Sequence, residues 1–223
     1  MNYVILGDGL LGKELHIQTG WNYVSRKKDN IDISKESFFS SLDEYDSIIN
    51  CIAFTDTYSE HRDSNWDINV KFLDSLIDYC NQHNKKLIHI STDYVYAGSV
   101  ENASEEDVPV HINTWYGYTK LVGDALVQLR SKNYLVCRLS HKPYPFPYEY
   151  AWTDMKTNGD YVNVIARLVI NLVAKNATGL FNVGTEPKTI FELVERTTGV
   201  KKSNKPDIVP NNTTMSIEKL KSC

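Results

Sequence analysis

The segment Tyr3-Val-Ile-Leu-Gly-Asp-Gly-Leu-Leu-Gly12 decides the fold. Asn2–Leu6 has the apolar, β-branched content of a buried strand, and Leu10–Thr19 is patterned as a helix. Between them, Gly7, Gly9 and Gly12 take a Gly-x-Gly-x-x-Gly spacing. Glycines at these places permit a tight turn, close approach of backbone to a pyrophosphate and close helix–strand packing. The N-terminus of the helix adds N–H groups and a dipole suited to an anion. Gly7, Gly9, Leu10, Leu11 and Gly12 are therefore candidate cofactor-binding residues. A glycine-rich turn with no ligand is the plain alternative.

Outward from this turn, short β-rich runs alternate with helical patterns. Strands are expected at Asn22–Ser25, Ser47–Ala53, Lys86–Ser91, Tyr134–Leu139 and Gly179–Val183. Helices are expected at Ser34–Leu42, Trp66–His83, Tyr116–Arg130, Val162–Lys175 and Thr189–Thr198, with a short one near Ser216–Lys221. Such alternation predicts an α/β fold, a doubly wound parallel sheet of the Rossmann type. Ligands in these sheets lie beyond the carboxyl ends of the strands, which here hold Gly7, Ala53–Thr55, Ser91–Thr92 and Leu139–Ser140. The run Ser140–Gly159 is rich in Pro and Tyr, has no clear period, and reads as an ordered loop able to cover a site. The expected organisation is a dinucleotide-binding domain over 1–140. A small substrate lobe over 141–223 would pack partly back on it.

NAD-preferring sheets place an acid at the end of the second strand, for the ribose 2′-hydroxyl. Here that end reads Val24-Ser25-Arg26-Lys27-Lys28, with no acid and a basic cluster able to accept a 2′-phosphate. NADP(H) is the expected cofactor, held there by Ser25, Arg26 and Lys27, with Asp32 and Ile33 near the adenine. A solvated basic turn is the alternative.

Tyr116-Gly-Tyr-Thr-Lys120 puts a phenol and an ammonium on one face of a helix, with the strand-end hydroxyl of Thr92 nearby in the fold. A phenol beside an ammonium loses pKa, because the positive charge favours phenolate. A phenol so tuned can protonate a carbonyl near neutral pH, which is the chemistry of ketone reduction by a nicotinamide. Tyr23-Val-Ser-Arg-Lys27 has the same spacing but straddles the end of a strand, and is read as a decoy.

Together these features resemble the extended short-chain dehydrogenase/reductases, most nearly the dTDP-4-dehydrorhamnose reductases. The resembling segments are ILGDGLLGKEL, SIINCIAFT, INV at 68–70, HISTDYVYAG, INTWYGYTKLVGD, LFNVGTE and TTMSIEKLKS. The resemblance implies that Tyr116 is the proton donor to the ketone and that Thr92 hydrogen-bonds the same oxygen. It implies that Lys120 holds the nicotinamide ribose and lowers the Tyr116 pKa, and that Asn69 supports the lysine. Cys51, Ala53, Thr55 and Ser140 would line the cofactor, and Asp93 and Tyr94 would face the sugar. Independently of the resemblance, the aromatic Trp152 is a candidate to stack on a nucleotide base or sugar, with packing of its loop over the core as the alternative. Dehydratases of the family read Thr-Asp-Glu where this chain reads Thr92-Asp93-Tyr94. Tyr94 is no carboxylic acid at neutral pH, so simple 4-keto reduction of a deoxysugar nucleotide is the implied reaction. The segment after Ser140 is shorter than in relatives that bind nucleotide sugars. A reductase or epimerase of another carbonyl compound, or a non-catalytic NADP-binding relative, therefore stays open.

The remaining composition mostly excludes. A net charge of −4 with scattered Lys and Arg does not favour nucleic-acid binding. No apolar run approaches the ~20 residues of a membrane span, and the N-terminal run reads as a strand rather than a signal peptide. Four separated cysteines suit a reducing cytoplasm. Six histidines (16, 61, 83, 89, 111, 141) lack metal-ligand spacing, and each reads as a surface or satisfied core residue. There is no Gly-x-Ser-x-Gly hydrolase elbow. The helices at 66–83 and 116–130 are candidates for a homodimer interface.

Overall fold

A computed structural model of the chain describes residues 1–110, 114–195 and 199–223. His111, the Ile112-Asn113 pair and the expected helical end at 196–198 lie outside the described residues. Six parallel strands form the central sheet: β1 (Tyr3–Leu6), β2 (Asn22–Val24), β3 (Ser47–Asn50), β4 (Lys86–Thr92), β5 (Tyr134–Leu139) and β6 (Gly179–Val183). Their order is β6-β5-β4-β3-β1-β2, and every neighbouring pair is parallel. The winding reverses between β1 and β3, so their carboxyl ends open a crevice there.

The strands are continuous apolar runs because successive residues face different cores. Val4, Leu6, Ile48, Leu87, Val136 and Leu180 pack on one face. Ile5, Ile49, Ile88, Leu135, Cys137, Phe181 and Val183 pack on the other. The first face is covered by α2, which runs from Arg62–Trp66 through a π-helical stretch at Asp67–Phe72 to Leu73–Gln82, and by α3 (Trp115–Arg130). The second is covered by α1 (Leu10–Thr19) and α4 (Val162–Ala174). Each fully buried Leu or Ile contributes roughly 1.5–3 kcal/mol. Arg130 of α3 pairs with Asp74 and Asp78 of α2, tying the two helices together.

Several boundaries differ from expectation. β3 stops at Asn50, three residues short, because the Asn50 side chain accepts the Ile52 N–H and turns the backbone. β2 stops at Val24 because the Ser25 hydroxyl accepts the Lys28 N–H and caps a helical turn, Arg26–Asp29. The helix expected at 34–42 is shorter, Glu36–Ser40, and the one expected from 66 begins four residues earlier.

Segment 141–223 divides. Residues 162–183 return to the main sheet as α4 and β6. The C-terminal helix Glu218–Ser222 also packs on β6, and most of the other residues build a small lobe of short paired strands around Phe146, Ala151, Met155, Ile190, Val194 and Val209. Trp152 lies on the strand Tyr150–Trp152, which pairs with Lys201–Ser203. The lobe helix Ile190–Val194 starts in a capping box of Thr189 and Glu192.

Gly7 sits at φ +98°, a left-handed conformation that side chains resist, and its N–H reaches Val24 O at 2.9 Å. A Cβ on Gly12 would lie 2.1 Å from the Gly7 carbonyl oxygen, whereas one on Gly9 would meet no protein atom within 4 Å. Gly12→Ala should therefore lower stability to urea by about 3 kcal/mol, the upper end of ordinary overpacking. Gly9→Ala should cost about 1 kcal/mol or less, as a change of N-cap. Equal losses in the two variants would contradict the close approach.

Candidate active site

The carboxyl ends of β1, β3, β4 and β5 surround a cleft of about 440 Å³. Of the residues singled out from the sequence, Gly9, Leu10, Leu11 and Gly12 line it at the glycine turn. Cys51, Ala53 and Thr55 line it beyond β3, Thr92, Asp93 and Tyr94 beyond β4, and Ser140 beyond β5. Tyr116 and Lys120 enter from α3 and Trp152 from the lobe. Gly7 lies behind the turn and shapes it. Gly9 caps α1 in extended conformation with no side-chain bond, leaving its face open toward the cleft. An open glycine face at the first turn of a ten-residue helix fits a dinucleotide pyrophosphate.

The Thr92 hydroxyl shares the cleft wall with the Tyr116 phenol, donates to Asp93 Oδ1 at 3.4 Å and accepts the Tyr94 N–H at 3.2 Å. The Tyr116 ring is partly exposed. Burial of its phenol pushes the pKa up to about 12, against the opposing bond from Thr92, and Asp93 and Asp124 raise it further. This corrects the expectation that Lys120 depresses it. The Lys120 ammonium is buried and engaged elsewhere: it donates to Ile90 O at 2.7 Å and lies 3.3 Å from His89 Nε2. Burial lowers the Lys120 pKa to about 8, opposed by Asp124 and Cys51. Behind it, His89 Nδ1 lies 3.3 Å from Asn50 Nδ2, and Asn50 accepts the Ile52 N–H. A buried polar ladder thus runs from Lys120 through His89 and Asn50 to the loop that carries Ala53. Burial, then Lys120, hold the His89 pKa well below the usual imidazole range.

Asn69 does not touch Lys120. Its side chain accepts from Phe54 N at 2.9 Å, donates to Phe54 O at 3.2 Å and donates to Thr119 at 3.0 Å. It locks the 53–55 loop against α3 from within the π-helical stretch, a deviation often found at functional sites.

Asp93 lines the cleft, but its carboxylate is fully buried. It accepts from Thr157 at 2.9 Å and Thr213 at 2.6 Å, so it anchors the lobe rather than standing free for a sugar. Tyr94 remains on the wall, edge-on to Tyr116 at 6.3 Å and 2.7 Å from the Tyr58 hydroxyl. Burial and Tyr58 raise its pKa.

Ser25, Arg26, Lys27, Asp32 and Ile33 are not on the cleft wall. Ser25 is buried as a cap, Lys28 folds back onto Tyr23 O, and Arg26 and Lys27 are exposed beside the glycine turn. Asp32 is occupied by Ser34, whose bonds lower its pKa, and Ile33 packs on the core. The sequence reading missed Tyr58, His141 and Lys142, which line the cleft. His141 and Lys142 directly follow the strand-end Ser140, and that position was the available signal.

Two histidines are held neutral here. His141 is depressed to about 4 by burial and then by Lys142, and His89 falls well below 6.5. Imidazoles with lowered folded pKa contribute stability that is fully present above the unfolded value near 6.5. It is lost as pH falls from there through their folded values. Urea unfolding should therefore show stability declining from pH 6.5 toward 4. His89→Gln should make that decline shallower by about one proton's linkage. An unchanged slope would contradict the neutral buried ring.

The family model described as RmlD substrate binding domain matches residues 1–142. The dTDP-4-dehydrorhamnose reductase of Aggregatibacter actinomycetemcomitans is 26% identical over 172 residues, 73% of this chain and 55% of that protein. The chain spans about half the length of the curated relatives it matches. Among solved structures, a hypothetical dTDP-4-dehydrorhamnose reductase from Sulfolobus tokodaii superposes with a TM-score of 0.84 at 21% identity, over 100% of this chain and 94% of that one. The dTDP-4-dehydrorhamnose reductase of Bacillus anthracis, solved in complex with NADP, superposes with a TM-score of 0.83 at 22% identity, over 100% and 93%. Both solved structures share the fold of this chain, and the match over 1–142 covers the glycine turn, Thr92, Tyr116 and Lys120. The chain belongs to the RmlD substrate-binding-domain family of the extended short-chain dehydrogenase/reductases.

Proposed function

We propose that this chain carries out the NADPH-dependent reduction of the 4-keto group of a deoxysugar nucleotide, with Tyr116 as proton donor. The observation that carries the reading is the convergence of Thr92, Tyr116 and Lys120 on the wall of the cleft that the glycine turn also lines. The names of the relatives support the same reaction class.

Gly9, Leu10, Leu11 and Gly12 would hold the pyrophosphate of the cofactor, and Lys120 its nicotinamide ribose. Bound NADPH supplies the hydride. Thr92 and Tyr116 place two hydroxyls on one carbonyl oxygen, stabilising the charge that develops there. With its pKa near 12, Tyr116 is a fully protonated phenol at neutral pH, so it holds the proton the alkoxide takes. Lys120, with a pKa near 8, is mainly ammonium at neutral pH, the form that would donate to the ribose hydroxyls. Asn69 holds the Ala53–Thr55 loop in place. Arg26 and Lys27, exposed beside the turn, are the candidates for a 2′-phosphate.

A second reading is a non-catalytic relative that binds NADP(H). It is favoured by the short lobe and by the burial of the Asp93 carboxylate. Turnover separates the two. NADPH oxidation with 4-keto nucleotide sugars should fall about 10²–10⁴-fold in Tyr116→Phe, with NADPH affinity unchanged. NADPH binding with no turnover of any ketone would favour the second reading.

The rate of reduction should be flat through neutral pH and fall as pH rises through about 8, where Lys120 loses its charge. A plateau reaching pH 10 would remove Lys120 from the reaction. Arg26→Ala should weaken NADPH about tenfold or more and leave NADH nearly unchanged, since a charge-assisted bond to phosphate is lost. Equal effects on the two cofactors would remove Arg26 from the 2′-phosphate.

A further inference from the structure

Lys142 is a cation on the cleft wall that makes no hydrogen bond to a described residue. It lies on a two-residue strand, His141–Lys142, that pairs with Asp160–Tyr161 just beyond β5. Its ammonium lies 5.9 Å from the ring centre of Trp152, which lines the same cleft. Among the described residues it makes no hydrogen bond or ion pair. The nearest opposite charge is Asp93, whose carboxylate is already taken up by Thr157 and Thr213. Burial lowers the Lys142 pKa, against the pull of Asp93. Its neighbour His141, also on the wall, has a buried Nδ1 without a partner.

A half-buried ammonium beside a tryptophan ring and a carboxylate already taken up by two hydroxyls is costly unless a further anion meets it. The glycine turn does not supply that anion. β5 lies three strands from β1 in the sheet, roughly 14 Å at ordinary strand spacing. Lys142 therefore belongs to the substrate end of the cleft, on the side of Asp93 and Thr92.

We propose that Lys142 selects an anionic substrate, its ammonium taking a carboxylate or phosphate oxygen of the ligand reduced beside Tyr116. The inference rests on the reductase reading above and adds a specificity determinant to it. The shared chemistry has two sources: a carboxylate on the sugar, or the diphosphate that joins sugar to nucleoside.

The test is calorimetric binding of glucose and glucuronate, each as its UDP and dTDP conjugate, with and without NADPH. Native protein is compared with Lys142→Gln and Lys142→Arg. Loss of one charge-assisted bond should weaken binding about tenfold or more in Lys142→Gln. Lys142→Arg, which keeps the charge, should recover most of it. If only the glucuronate conjugates weaken, the anion is the sugar carboxylate. If glucose and glucuronate conjugates weaken alike, it is the diphosphate. Native-like affinity of Lys142→Gln for every conjugate overturns the proposal. So does a native protein that takes up NADPH but none of the conjugates. Absence of NADPH binding would instead strike the reductase reading, and the binding series without cofactor would still decide the role of Lys142.

Discussion

The Asp93 carboxylate is fully buried and accepts hydrogen bonds from hydroxyls 64 and 120 residues downstream, those of Thr157 and Thr213. Burial raises its pKa, opposed in part by the two threonine hydroxyls, Lys142 and Thr92, which favour the carboxylate. A carboxylate without these partners would be expensive at this depth. The lobe that closes one end of the cleft is thus bound to the strand end that carries Thr92. Asn158 extends the joint by donating to Thr185 O and accepting from Met215 N. Through this joint the short segments after β5 acquire fixed positions that their own small core would not impose.

A second constraint is the buried Lys120 ammonium. It sits against a strand carbonyl and a neutral imidazole, so its charge is solvated by protein dipoles rather than by a carboxylate. Asp124, one helical turn further on, is instead committed to a buried pair with Arg138, which also meets the Tyr96 hydroxyl. That division leaves Lys120 with a pKa near 8, low enough to be tuned by whatever enters the cleft. It also explains why Tyr116 is not acidified in this structure. The ammonium is held against the Ile90 carbonyl and His89, and burial dominates the phenol.

Much of this was legible in the chain. The glycine spacing between a strand and a helix, and the alternation of apolar runs, prescribed a doubly wound parallel sheet. Its strand ends then marked Ala53, Thr92 and Ser140 as cleft residues. Errors arose where a side chain overrides local propensity. Asn50 and Ser25 end their strands by capping backbone groups. His89 looked like one more core histidine, and only its position between Asn50 and Lys120 reveals what satisfies it.

The sequence by itself determined the layers of the fold and marked Tyr116 and Lys120 as a candidate pair. Those depend on periodicity and on contacts within a few residues, which are local. Only the tertiary structure decided the electrostatics: the raised phenol, the lowered ammonium, the occupied Asp93 and a Lys142 with no hydrogen bond to a described residue. Each of these depends on desolvation and on partners far away in the chain. The strength of a charge in a cleft is set by what excludes water around it, and no stretch of sequence encodes that alone.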